Sequence, residues 1–207
     1  MNLFRITPQT IGSNCYIVSD KGEAVVIDPS ASAAEVMKYL TQNGLTLKAI
    51  LLTHGHFDHM LGLEKLRTQN PSAPVMIHAD DAELMPDGHK NAFFDFFSKD
   101  RDFGNPDKLL IEGDTIPFGN MRLRVMHTPG HTKGSVCYRC AKLLFTGDTI
   151  MADSFGRLDL YSGSPAKMNH SLGKLRALAA KEDLMICPGH GNTARLSDAL
   201  YKIYNRQ

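Results

Sequence analysis

The chain has 207 residues, which at about 150 per domain suits one domain or two small ones and excludes a larger multidomain assembly; its 43% apolar content fills a core without disulfide staples and rules out disorder. Lysine plus arginine number 23 against 22 acidic residues, a net charge of +1 with no run of like charge, so the basic footprint that a nucleic acid or an anionic membrane would need is missing. No stretch reaches the roughly 18 to 20 apolar residues of a spanning helix, the start Met1-Asn2-Leu3-Phe4-Arg5 has no leader pattern, and four cysteines are few for a disulfide framework, so a cytoplasmic protein with free thiols is expected.

In chain order, Leu3–Ile6, Cys15–Val18 and Ala24–Ile27 are apolar runs separated by Gly12-Ser13-Asn14 and Lys21-Gly22, the pattern of strands joined by tight connections. Ser32 stands three residues before Glu35 as in a capping box, and Ala33, Val36, Met37 and Leu40 follow at helical spacing up to Asn43-Gly44. Ala49–Leu52 is uninterruptedly apolar, as for a strand covered on both faces, with a helix expected over Met60–Thr68. Residues Pro86 to Pro106 have poor periodicity and five phenylalanines, and read as either a lid or a satellite core. Beyond them, Met121, Leu123 and Val125 alternate with arginines, Val136–Tyr138 and Leu143–Phe145 form a strand pair, and Leu184–Cys187 is another strand. Ser164-Pro165 starts a helix whose apolar face is Met168, Leu172, Leu175 and Leu178, and Leu196, Leu200, Ile203 and Tyr204 mark the last. Cys137 and Cys140 lie in one strand, where positions three apart face opposite sides, so this CxxC reads as structural. His78 and His127 are assigned structural roles, and His89 and His170 are expected at the surface.

One segment stands apart. Thr53-His54-Gly55-His56-Phe57-Asp58-His59 packs four potential metal ligands into six residues directly after a buried strand. His54 and His56 can point the same way from extended backbone, whereas Asp58 and His59 enter the next turn and aim differently, so one loop could serve two adjacent ions. Three later segments repeat one grammar, an apolar run, a glycine-containing turn and then a ligand: His131, Asp148 and His190. Four strands would thus deliver ligands to one edge.

With HxHxDH at His54–His59, TPGHT at Thr128–Thr132, GD at Gly147-Asp148 and PGHG at Pro188–Gly191, the sequence resembles the metallo-β-lactamase superfamily over nearly its whole length. The resemblance implies an α/β fold, the four-layer αββα sandwich, as one domain over residues 1–207. It implies one metal held by His54, His56 and His131, a second held by Asp58, His59 and His190, and Asp148 bridging both. Such a ligand set leaves room for water, as catalytic zinc sites do and structural ones do not. Two divalent cations are expected, zinc first, with iron or manganese as alternatives. The expected chemistry is attack by a hydroxide held between the metals on a carbonyl, with Asp58 both binding metal and orienting that hydroxide.

The pairing of these motifs with Gly156-Arg157-Leu158-Asp159 looks most like the short glyoxalase-II-like (hydroxyacylglutathione hydrolase-like) proteins. In that family a basic residue of this loop contacts a substrate carboxylate, which implies substrate contacts from Arg157. An aromatic is often found two positions later; here Asp159 takes that place, and Tyr161 is expected to compensate as a second substrate contact. Only seventeen residues follow His190, so the helical C-terminal glutathione-binding domain is not expected. A small anionic thioester is the expected substrate, with no nucleic acid or membrane partner. The alternatives are a glutathione persulfide dioxygenase with one iron, in which His56 would not bind metal, and a non-enzymatic metal-stabilised binding module.

Overall fold

A computed structural model describes residues 1–205. Strands β1 (Asn2–Ile6), β2 (Cys15–Asp20) and β3 (Glu23–Ile27) form an antiparallel meander in register Phe4 to Ile17 to Val26. Helix α1 (Ala33–Gln42) then carries the chain to β4 (Thr46–Leu51), and α2 (Leu63–Gln69) to β5 (Val75–His78). After the short α3 (Phe93–Phe97) comes β6 (Lys108–Leu110); strands β3 to β6 run parallel, and the first sheet has the order β1-β2-β3-β4-β5-β6. The second sheet is built from β7 (Thr115–Phe118), β8 (Met121–His127), β9 (Val136–Cys140), β10 (Leu143–Gly147), β11 (Met185–Pro188) and β12 (Ala194–Arg195), in order β12-β11-β10-β9-β8-β7. Helices α4 (Pro165–Ala179) and α5 (Leu196–Tyr204) complete it.

Side-chain alternation along the strands builds the layers. In β3, Ala24 and Val26 face α1 and α2, while Val25 and Ile27 face the second sheet; in β4, Ile50, with Leu52 just beyond the strand, points outward and Ala49 and Leu51 inward. On the other side, Cys137 and Leu144 pack against α4 and α5, while Tyr138, Cys140 and Phe145 fill the space between the sheets. Three apolar cores thus separate four layers, helix, sheet, sheet and helix. Cys137 and Cys140 fall in different cores, and all four cysteines are buried free thiols.

Two elements differ from expectation. The helix expected over Met60–Thr68 begins only at Leu63, as α2, after a short 3-10 turn at Phe57–His59. Gly62 sits between them so close to the chain that a Cβ would stand 2.0 Å from the Ala31 carbonyl oxygen, and its N–H donates to the Pro29 carbonyl (2.8 Å). The Pro86–Pro106 segment is packed: Ala92 and Phe103 enter the outer core of the first sheet, and Phe93, Phe96 and Phe97 surround Phe57 at centroid distances of 5.4–5.6 Å. Phe94, Phe96 and Phe97 keep an exposed face. No helix among the described residues is long and apolar enough to cross a membrane.

Candidate metal centre

Strand direction decides where the polar residues meet. Because β9 is antiparallel to both β8 and β10, and β10 is parallel to β11, strands β8, β10 and β11 all end at one edge, releasing His131, Asp148 and His190 there. The parallel β3 and β4 end at the facing edge, releasing Asp28 and the His54–His59 loop. The two edges are stitched together: Val136 N–H donates to the Thr53 carbonyl (2.9 Å), Tyr138 Oη–H to Leu52 O (2.7 Å), and Asn14 N–H to Gly189 O (2.6 Å).

The seven sequence-predicted ligands come together. His56 Nδ1 lies 2.8 Å and His54 Nε2 3.2 Å from His131 Nε2. Beside them, His190 Nε2 is 3.1 Å and His59 Nε2 3.8 Å from Asp58 Oδ2. Asp148 sits between the two groups, 3.5 Å from His59 Nε2, 3.7 Å from His131 Nε2 and 3.6 Å from His190 Nε2.

The far ring atoms fix the tautomers. His59 Nδ1–H donates to Asp28 Oδ2 (2.9 Å), and His131 Nδ1–H donates to the Arg157 carbonyl (2.7 Å). The single hydroxyl proton of Thr53 goes to Asp28 Oδ2 (2.7 Å), so Thr53 Oγ1 accepts from His54 Nδ1–H (3.1 Å). The Nε2 lone pairs of His54, His59 and His131 are therefore all turned into the site. Two lone pairs facing each other at 3.2 Å repel unless a cation lies between them, and that separation is close to the edge of about 3.3 Å expected for tetrahedral Zn–N bonds. His59 Nε2 and Asp148 Oδ1 are moreover buried without a hydrogen-bond partner. The donor set fits a pair of divalent cations.

Electrostatics agree with that fit. Burial, reinforced by neighbouring imidazoles, holds His54 well below the usual histidine range and His56 down to about 3, so both stay neutral and free to ligate. Burial opposes ionisation of Asp148, but the imidazoles of His59, His131 and His190, all within 3.7 Å of it, outweigh burial and hold the carboxyl well below its ordinary range. Burial likewise opposes charge on His59, yet Asp28, Asp58 and Asp148 draw a proton to it; the same negative field attracts a cation.

An open pocket of about 350 Å³ leads to this centre, with His56, Asp58, His131, Asp148 and His190 on its floor. Its walls carry Ile11, Phe57, Phe96, Leu160 and Arg157. Tyr161, expected to contact substrate, is not among the residues lining this pocket: its hydroxyl donates to Glu83 (3.1 Å) and its ring lies below the ammonium groups of Lys90 and Lys133, which hold it away. His78 and His127 stack on each other at 4.0 Å, outside the centre.

Sequence reasoning missed two residues that organise the centre. Asp28 accepts from Thr53 N–H, Thr53 Oγ1–H and His59 Nδ1–H. The buried Asp81 ties the two ligand loops together, accepting Gly55 N–H and Thr132 Oγ1–H on one oxygen and Gly134 N–H on the other. An aspartate ending the apolar Ala24–Ile27 run, just before Pro29, was the available signal for Asp28; Asp81 had none.

Residues 9–190 match the family model described as the metallo-beta-lactamase superfamily. The chain is 36% identical over 166 residues to a hydroxyacylglutathione hydrolase of Pseudoalteromonas translucida, covering 80% of this chain and 56% of that one. Among solved structures it resembles the BLEG-1 B3 metallo-beta-lactamase, with a TM-score of 0.87, 30% identity and 95% of each chain covered. It also resembles TTHA1623 in a di-iron-bound form, with a TM-score of 0.84, 30% identity, and 97% of this chain and 98% of that one covered.

Proposed function

Because the chain belongs to the metallo-β-lactamase superfamily, we propose that it is a metal-dependent hydrolase cleaving small thioesters, with hydroxyacylglutathiones as representative substrates. In this reading His54, His56 and His131 hold one divalent cation, Asp58, His59 and His190 hold a second, and Asp148 is shared. The observation that carries it is the convergence of the lone pairs of His54 and His131, both locked in the ligating tautomer by Thr53 and the Arg157 carbonyl. Bound there, the cations supply Lewis acidity and acidify water toward neutral pH. The relative named as di-iron keeps iron open beside zinc as the native metal.

The chain's own groups supply the rest. Asp58 is the catalytic residue: its burial disfavours charge, but His59 and His190 outweigh this and keep it ionised, so its carboxylate can orient an attacking water by accepting its hydrogen bond. Phe57 and Phe96 line the wall against which the substrate's apolar part packs and from which water is displaced. No serine or cysteine nucleophile is required; the four thiols are buried, and burial raises all of them.

The test is metal analysis and S-lactoylglutathione hydrolysis on one sample of purified protein. Two metal equivalents per chain and steady thioester turnover that chelation abolishes are expected. One iron per chain with oxygen uptake on a persulfide, or two metals with no thioester turnover, overturns the reading.

A further inference from the structure

Arg157 stands on the pocket wall, and its backbone is tied to the metal centre. The preceding Gly156 donates its N–H to the Asp148 carbonyl (2.7 Å), and the Arg157 carbonyl accepts the His131 Nδ1–H (2.7 Å). A Cβ on Gly156 would stand 2.6 Å from His131 Nδ1 and 2.7 Å from the Asp148 carbonyl, so this segment lies against the centre as closely as a glycine allows. Arg157 therefore borders the pocket beside His131.

The guanidinium there is already engaged. Its Nε and Nη2 donate to Oδ1 and Oδ2 of Asp159, each at 2.7 Å, the two-pronged geometry that a substrate carboxylate would otherwise take. The Arg157 hydrogen bonds hold the Asp159 carboxyl down at about 2, so it remains a full negative charge at working pH. Around this neutralised pair the wall is apolar, formed by Phe96, Ile11 and Leu160, and Phe96 and Ile11 are each 54% exposed.

Resting on the thioester-hydrolase reading, we propose that Asp159 is a specificity-determining residue: by occupying the Arg157 fork it selects substrates whose arm beside Arg157 is uncharged and apolar, and disfavours those carrying a carboxylate there. A substrate carboxylate must displace Asp159 and then sit beside the charge it displaced. An uncharged arm leaves the pair in place and covers Ile11, Phe96 and Leu160. The pair is solvent-exposed, so the discrimination is modest and sensitive to salt.

The experiment compares two thioesters with one acyl group, S-lactoylglutathione and the uncharged S-lactoyl-N-acetylcysteamine, on the metal-loaded enzyme. Asp159→Asn is expected to move the ratio of their kcat/KM values about two- to fivefold toward the glutathione ester, through KM, the range that an exposed ion pair can supply. Adding Arg157→Gln should return the ratio, and high salt should shrink the change. A ratio that stays put, or moves toward the uncharged ester, overturns the proposal. If the wild-type protein hydrolyses neither ester, the proposed reaction fails, and calorimetric binding of S-methylglutathione decides the specificity separately. Tighter binding by Asp159→Asn than by wild type supports it; equal or undetectable binding by both overturns it.

Discussion

Asp28 occupies backbone with φ +51°, a left-handed conformation that few side chains other than those of asparagine and aspartate adopt readily. The conformation turns its carboxylate back into the centre, where it fixes His59 directly and His54 through the Thr53 hydroxyl. Asparagine tolerates the same backbone but offers a single acceptor oxygen, and its amide donors face groups that are themselves donors. Asp28→Asn is therefore expected to weaken metal binding about 10- to 100-fold, the usual effect of removing a partner that orients metal-ligating histidines. Competition against a chromophoric chelator measures it, and unchanged affinity would show that the histidines orient themselves. The candidate ligands His54, His56, Asp58 and His59 were legible at this scale because imidazoles and carboxylates crowded into six residues have few other uses; Asp28 was not, since its role depends on residues 25 and 31 positions away.

Among the connecting elements, the 3-10 turn at Ala79–Leu84 brings Asp81 between the loop carrying His54 and His56 and the loop carrying His131. Packing there leaves no slack. A Cβ on Gly134 would stand 2.5 Å from the Asp81 backbone nitrogen and 2.7 Å from its Cβ. Gly134→Ala is expected to cost about 1–3 kcal/mol, as overpacking of a filled interior does, and to lower the denaturation midpoint; an unchanged midpoint would mean that the turn yields freely. Periodicity predicted α1, α4 and α5 well because each has one face buried and a patterned sequence. It predicted α2 too early, because Met60 is buried by the turn before the helix rather than by the helix itself. The phenylalanine-rich segment has no usable period because its rings pack around Phe57 from a five-residue helix too short to show one.

Across the whole molecule, the candidate centre lies where the edges of two sheets meet, so cations held there would link the two halves of the chain. Cations that bind only the folded form stabilise it by mass action, about 2.7 kcal/mol for one site at a hundredfold excess over Kd. At about 2–4 °C per kcal/mol for a chain of this size, chelation should lower Tm by at least 5–10 °C, and added zinc should restore it. Calorimetric scans of loaded, chelated and reloaded protein check this, and a Tm indifferent to chelation would show that the centre holds no stabilising metal. By itself, the order of apolar runs and ligand-bearing turns determined the layered α/β architecture and which side chains form the centre, because burial periodicity and metal-ligand chemistry are local properties of a chain. Only the tertiary structure decided how Asp28 and Asp81 organise those ligands, that Tyr161 turns to Glu83, and that Asp159 occupies Arg157. Each of these depends on which distant groups lie within hydrogen-bonding distance, and spacing along the chain does not encode that.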